Sequence, residues 1–148
     1  MPCTLLIRLP PGEVRSGRLI TPLVIRGFVE PDREIHCDAL VDTAAYCLTL
    51  PTAWKERLGP LPVSRPVKLE TADHRTVDGE IAGPVTIQIE GFDAIVGEVL
   101  FMTMEPGQRR FEPLLGYITL EQAGIAVDMV GHRLIRVPHF DLKAARAA

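Results

Sequence analysis

Prolines and glycines interrupt the chain so often that long helices are not expected. The 148 residues include 13 prolines and 12 glycines, which separate short runs rich in Val, Ile and Leu. Proline lacks a backbone donor and glycine favours turns, so the runs between them have the length of strands. The sequence therefore predicts a mainly β protein with few helices.

The sequence of the first half of the chain predicts two paired strands, the second of which ends at Asp42. Two apolar runs, 18–29 and 34–41, flank a segment in which Pro31 and Asp32 suit a tight turn. Asp42 follows the second run directly. We expect Asp42 to be buried there, which is uncommon for aspartate unless the group is paired.

The rest of the chain predicts one helix of about two turns and several hairpins. Thr52 is the expected N-cap of the helix and Gly59 its end. Alternating apolar residues mark a strand at 85–89. Polar residues fill 69–80 between two strand-like flanks, which predicts a protruding hairpin, and a last hairpin turns at 130–133.

Composition favours one globular domain without a nucleic-acid or membrane partner. Apolar residues make up 47% of the chain and charged residues 24%, and no apolar run is long enough to span a membrane. The net charge is -3, and Lys and Arg do not cluster. The start has no basic head before its apolar patch, so no signal peptide is expected.

Cysteines and histidines do not have the spacing of metal ligands. Cys3, Cys37 and Cys47 are odd in number and far apart, which favours reduced thiols in a cytoplasmic protein. The four histidines also lack ligand spacing. We expect neither a metal nor an organic cofactor.

Asp42 lies in the string Leu40-Val41-Asp42-Thr43-Ala44-Ala45, for which a local interpretation is available. Aspartate and threonine often cap and turn a chain by bonding to their own backbone. Taken alone, the string does not decide between such a turn and a catalytic acid.

The same string resembles the aspartic protease signature, two hydrophobic residues followed by Asp, Thr or Ser, Gly and Ala, as found in retropepsins and their small bacterial relatives. Residues 113–129 are similar to the closing segment of those relatives: an apolar pair, a glycine, a short helix and a strand that ends in aspartate. The polar hairpin 69–80 lies between the two segments, where the family has its substrate-covering flap. The resemblance covers roughly residues 19–137.

This resemblance implies an all-β fold, a retropepsin-like closed β-barrel with one or two short helices that assembles as a homodimer. The protease domain would span 19–138. Residues 1–18 would be an N-terminal extension, with a place at the dimer interface left open, and residues 139–148 a frayed tail.

The chemistry of aspartic proteases explains why a second copy is expected. Two carboxylates a few ångströms apart share one proton, and one acts as general base on water while the other protonates the scissile carbonyl oxygen. Asp73, Asp93 and Asp128 lack the signature context, so the second carboxylate would be Asp42 of another copy on a two-fold axis. The implied function is an aspartic endopeptidase that cleaves a peptide or protein.

The resemblance also assigns a role to each residue around the acid. Thr43 would bond across the dimer, the backbone of Ala44 would meet the substrate main chain, and Ala45 would line the channel. Leu114, Leu115 and Gly116 would pack behind the active-site loop. The flap would comprise Thr71, Ala72, Asp73, His74 and Arg75.

Four positions depart from the family pattern. Ala44 stands in place of glycine, which costs about 1 kcal/mol or more only if φ there is positive, and we expect reduced activity or narrowed specificity with an intact fold. Tyr46 and Tyr117 replace an ion pair of retroviral members and either pack together or are unrelated. His74 either tunes the charge of the flap between pH 5 and 8 or is a solvated turn residue.

Two other functions stay open beside the endopeptidase. One is a retropepsin-like module that dimerises or binds peptides with weak or no catalysis. The other is a β-barrel binding domain unrelated to proteases, in which Asp42 only caps a turn.

Overall fold

A computed structural model describes residues 18–70, 73–104 and 112–137, and it confirms that the chain is mainly β. A 3₁₀-helix spans Thr52–Leu58 and an α-helix, α1, spans Tyr117–Gln122. The strands of these ranges are β1 (Ile20–Gly27), β2 (Glu34–Val41), β3 (Leu48–Pro51), β4 (Val63–Glu70), β5 (Thr76–Ile89), β6 (Ile95–Met102), β7 (Leu114–Leu115), β8 (Ile125–Asp128) and β9 (Arg133–Arg136).

Seven of these strands form one sheet that closes on itself. Their order is β1-β2-β7-β3-β6-β5-β4, and β1 also pairs with β5, so six strands make a ring with β4 outside it. Antiparallel β1 and β2 carry the turn that the sequence predicts at Pro31 and Asp32. The all-β prediction is therefore confirmed, but the expected barrel is corrected to an irregular ring, because β7 is only two residues long and meets β3 through one residue pair.

The core fills the inside of this ring. Val85, Ile87 and Ile89 are buried at alternate positions of β5, as the alternation in the sequence predicts. Phe101 of β6 and Leu50 of β3 are fully buried beside them. Burial of one face fixes the strand register, because a slip by one residue would turn every apolar side chain to solvent.

The helix after β3 begins differently from what the sequence predicts. It is a 3₁₀-helix whose N-cap is Pro51, and no side chain caps it, so the prediction of Thr52 as N-cap is wrong. Pro51 still pairs with Met102 of β6, and the chain therefore passes from strand to helix without a residue between. The end is as predicted: Gly59 has a φ of 71° and bonds back to the carbonyl of Glu56.

Strands β8 and β9 form a separate two-stranded sheet. Their turn covers 129–132, one residue earlier than predicted. Asp128 begins the turn, and its Oδ1 accepts the backbone N–H groups of Val130 (3.1 Å) and Gly131 (2.8 Å). The hydrogen bond from the Gly131 N–H is the main cause that lowers the pKa of Asp128. The Arg133 guanidinium, 3.0 Å from Oδ2, lowers this pKa further.

Several predictions lie outside the described residues. These are the structure of residues 1–17, the flap positions Thr71 and Ala72, and the tail at 139–148. Within the described ranges, no helix is long and apolar enough to cross a membrane.

Candidate active site

Asp42 is the first residue of the loop between β2 and β3, and three bonds fix it there. Its N–H donates to the carbonyl of Leu115 (3.0 Å), and its own carbonyl accepts the N–H of Ala45 (3.0 Å). The carboxylate Oδ1 accepts the N–H of Ala44 at 2.9 Å. The local interpretation, an aspartate that closes its own turn, is thus confirmed for one carboxylate oxygen.

Part of this loop is exposed in the portion of the chain that the structure describes. Asp42 is only partly buried, while Thr43 and Ala44 are exposed, so the expectation of a buried Asp42 is wrong for one copy. No group in the described part of the chain bonds to Oδ2 of Asp42 or to the hydroxyl of Thr43. The loop follows the end of β2, and the β8–β9 segment lines a cleft beside it through Val127, Met129 and His132.

Strand β7 supports the loop from behind. It lies between β2 and β3, and Leu40 and Val41 pair with Leu114 and Leu115 in parallel. The N–H of Tyr117 donates to the carbonyl of Ala45 at 3.0 Å. Both ends of the loop are therefore bonded to one short segment, 114–118.

Gly116 fits this segment because it has no side chain. A Cβ at Gly116 would lie 2.6 Å from the carbonyl oxygen of Ala45 and 2.6 Å from the backbone nitrogen of Cys47. Real Cβ atoms do not approach other heavy atoms so closely. The φ of Gly116 is −88°, so glycine is needed here for space and not for a left-handed backbone.

Thr119 is a supporting residue that the sequence interpretation missed. It is buried in α1, and its hydroxyl oxygen accepts the N–H of Leu48 at 2.9 Å, at the start of β3. The available signal was a hydroxyl residue on the apolar side of a short helix. A buried polar group must find a partner, but its sequence does not say which one.

The backbone of Ala44 does not have a positive φ. In the described ranges, the residues other than glycine with positive φ are His74 (61°) and His132 (51°). The methyl group of Ala44 therefore causes no left-handed strain, which is consistent with an intact fold.

Tyr46 and Tyr117 pack against each other, which confirms the pairing that their positions predict. Their ring centroids are 5.9 Å apart with an interplanar angle of 85°, an edge-to-face contact. The adjacent bond from Ile118 N–H to the carbonyl of Tyr46 (2.9 Å) fixes the two backbones. The pair thus braces the end of the Asp42 loop against α1.

Strands β4 and β5 form the long hairpin that the sequence predicts at 69–80. Its register runs from Val63 opposite Gly83 to Glu70 opposite Thr76. At the tip, Asp73, His74 and Arg75 are exposed. Nδ1 of His74 lies 3.0 Å from a Glu70 oxygen, and the positive φ of His74 is the conformation that glycine adopts without strain.

The inner side of this hairpin contacts a small apolar cluster beside the Asp42 loop. Buried Cys47, Ile81 and Leu100 form the cluster, and Val67 and Leu69 of β4 pack against it. Burial raises the pKa of the Cys47 thiol to about 11, so this group is a neutral, apolar side chain at ordinary pH. The hairpin and the loop are therefore the two sides of one apolar region.

The structure has a small cleft beside Asp42 and a larger cleft away from it. A small cleft of about 130 Å³ adjoins the acid, and it is lined by Leu19, Val41, Asp42, Thr43, Val127, Asp128, Met129 and His132. A larger cleft of about 570 Å³ lies between β1, β2 and the end of β5, and the Asp42 loop contributes nothing to it. In the described part of the chain, no three His, Cys, Asp or Glu residues are grouped as metal ligands would be.

Comparison with known proteins identifies the fold. No protein-family model matches the chain. No curated protein matches it either. Among solved structures, the chain is similar to a retroviral protease, the EIAV protease complexed with the inhibitor HBY-793, with a TM-score of 0.56 and 20% sequence identity. The match covers 82% of this chain and 99% of that chain, so the two share the retropepsin-like fold.

We expect Gly116→Ala to destabilise the protein by about 3 kcal/mol or more, because the new methyl group meets backbone atoms that cannot move independently. Gly91→Ala is the matched control. Its Cβ would meet no heavy atom within 4 Å, so it carries only the cost of a φ of +88°, about 1–2 kcal/mol. Chemical denaturation of both variants measures the difference, and equal losses would contradict the steric role of Gly116.

We expect Tyr46 and Tyr117 to be energetically coupled. Replacing each by alanine, singly and together, completes a double-mutant cycle, and the coupling expected for an edge-to-face pair is about 0.5–1.5 kcal/mol. The free energy of unfolding is the readout. Effects that add within about 0.3 kcal/mol would mean that the two rings are only neighbours.

Proposed function

We propose that two copies of this chain, which has the fold of a retroviral protease, form an aspartic endopeptidase with one Asp42 from each copy. The observation that carries the proposal is the state of this carboxylate. It is anchored through its backbone to Leu115, it has one oxygen free of partners among the described residues, and it is only partly buried.

In this mechanism the two Asp42 carboxylates share one proton across a two-fold axis. The ionised one accepts a proton from a water molecule while the water oxygen attacks the carbonyl carbon of the peptide. The protonated one donates its proton to the carbonyl oxygen, which gives a tetrahedral diol. The carboxyl that took the proton from water then donates it to the leaving nitrogen, while the other carboxylate accepts a proton from one hydroxyl of the diol. Cleavage of the carbon–nitrogen bond yields an acid and an amine and restores the shared proton.

Residues near Asp42 would bind the substrate and hold the Asp42 loop in place. The hairpin 69–80 would cover an extended peptide that pairs as an added strand, and Ala45 would line the channel beneath it. The exposed Thr43 would bond to its counterpart in the other copy. The partly buried Val67, Leu69 and Ile118, which pack against the apolar cluster, would favour substrates with an apolar side chain near the scissile bond.

A second candidate function is a retropepsin-like module that dimerises or binds peptides without cleaving them. The bond from Ala44 N–H to Asp42 Oδ1 favours it, because this bond gives the acid a structural use without catalysis. The remaining interpretation, a binding domain unrelated to proteases, is disfavoured by the fold.

We expect Asp42→Asn to reduce peptide cleavage by at least about 100-fold, because the amide cannot act as the general base. Its mass in solution and its melting temperature should stay close to those of the unchanged protein. Asp93→Asn is the control, since Asp93 is an exposed acid whose ion pair with Arg136 contributes little. Cleavage of a peptide library by the unchanged chain and by Asp42→Asn at equal rates would exclude the mechanism. Binding of peptides without cleavage would favour the module.

We expect Ala44→Gly to cleave peptides at least as fast as the unchanged chain, because the methyl group that faces the substrate is removed. Stability should fall by about 0.4–1 kcal/mol, since glycine has more freedom in the unfolded state. Ala94→Gly, at an exposed position between β5 and β6, should lose similar stability without a change in cleavage. A large loss of cleavage in Ala44→Gly would contradict the view that Ala44 limits activity.

A further inference from the structure

The larger cleft lies on the outer face of β1, β2 and the end of β5, and it carries two carboxylates. Its volume is about 570 Å³, and its lining includes Pro22 of β1, Asp38 of β2 and Glu90 directly after β5. Pro22 pairs with Asp38, and the N–H of Glu90 donates to the carbonyl of Pro22 at 3.0 Å. The two acids therefore flank Pro22 at two strand spacings, about 9.5 Å apart.

Both carboxylates lack a partner in the described part of the chain. Asp38 and Glu90 are exposed, and no described residue forms a hydrogen bond or an ion pair with either side chain. The described lining includes no Lys or Arg, and its histidine, His36, lies 2.7 Å from an oxygen of Glu34. Burial raises the pKa of the Cys37 thiol in this lining to about 12, so this group is neutral. The cleft is therefore an acidic surface that a basic segment can complement.

The described part of the chain ends beside this cleft. Arg136 is the last residue of β9, and its guanidinium donates to the carbonyl of Gly91 at 3.2 Å and to Oδ2 of Asp93 at 3.1 Å. Gly91 is itself part of the cleft lining, and Val137 follows Arg136 directly. Residues 138–148 therefore begin close to the acidic cleft.

The residues that follow Val137 carry two bases at a matching spacing. Residues 138–148 read PHFDLKAARAA, in which Lys143 and Arg146 come after the one acid, Asp141. An extended chain of the polyproline II type has three residues per turn, so side chains three residues apart lie on one side at about 9.3 Å. This distance matches the roughly 9.5 Å between the two acids of the cleft. Lys143 is six residues after Val137 and can lie up to about 20 Å from it, which is far enough to reach both acids.

We propose that residues 138–148 bind in the acidic cleft of the same chain, with Lys143 beside Glu90 and Arg146 beside Asp38. The order follows from the direction of the segment, which starts near Gly91, the neighbour of Glu90. In this place the segment joins the β8–β9 sheet to the outer face of the ring, and an ordered tail replaces the frayed one that the sequence predicts. The inference does not rest on the proposed endopeptidase.

Disulfide formation tests the position of the segment. Pro22→Cys and Ala145→Cys are combined in a chain with Cys3→Ser, because Pro22 lies between the two acids and Ala145 between the two bases. Thr86→Cys takes the place of Pro22→Cys in the matched control. Thr86 is on the same outer face of β5, four residues before Glu90 and roughly 13 Å from it, which exceeds the disulfide limit of about 7 Å.

After mild oxidation, we expect a disulfide within one chain to form at least about tenfold faster with Pro22→Cys than with Thr86→Cys, because a bound segment keeps its thiol near one position only. Peptide mapping by mass spectrometry identifies the bond. The native Cys37 and Cys47 can stay, since burial raises the pKa of both thiols and leaves little reactive thiolate.

Limited digestion with trypsin gives a second measurement that needs no new cysteine. Trypsin cuts after lysine and arginine where the chain is unbound. We expect Asp38→Asn combined with Glu90→Gln to speed cleavage after Lys143 by about 2- to 30-fold, because two ion pairs that hold the segment are lost. Asp32→Asn combined with Glu56→Gln removes the same charge from exposed positions outside the cleft and should leave the rate unchanged.

Each of three results would overturn the inference: equal disulfide rates for Pro22→Cys and Thr86→Cys, a covalent dimer in place of the bond within one chain, or a tryptic rate that the loss of both acids does not change. A covalent dimer would assign the cleft to the segment of a second copy. None of these readouts requires peptide cleavage by this protein, so failure of the endopeptidase leaves the bound segment standing, and the reverse holds as well.

Discussion

The backbone hydrogen bond from Asp42 to Leu115 is the contact on which the candidate site depends. It joins the end of β2 to a two-residue strand from the far end of the chain, and this strand then pairs with β3 as well. The loop of Asp42 is thereby bonded to β7 at its start and to the first residue of α1 near its end. Gly116 makes the close approach possible, and Thr119 satisfies the backbone where β3 begins.

The sequence predicts well those features that residues close together in the chain determine. The turn at Pro31 and Asp32, the hairpins and the alternation along β5 follow from local chemistry and pattern. The contact of Tyr46 with Tyr117 was predictable because the family resemblance aligned the two segments that backbone bonds then hold together. The fold class itself followed from the frequency of proline and glycine among short apolar runs.

Other features depend on contacts that a single segment does not encode. Thr52 has the chemistry of an N-cap, but the pairing of Pro51 with β6 leaves no free residue before the helix. Asp42 is only partly buried, because the apolar run before it predicts a buried strand but does not determine the exposure of the loop that follows. The approach of the β8–β9 turn to Asp42 could not be predicted from residues 125–136 alone, since it depends on how β8 packs against α1.

In the proposed dimer, the exposed methyl group of Ala44 would have a consequence that arises from symmetry. In an enzyme made of two identical chains, each loop substitution enters the site twice, once on either side of the bound peptide. A peptide has a direction, and its two halves therefore meet the same methyl group in different surroundings. Such a site cannot adjust one side of its channel alone, so in the proposed dimer a single replacement of glycine by alanine would constrain two substrate positions at once.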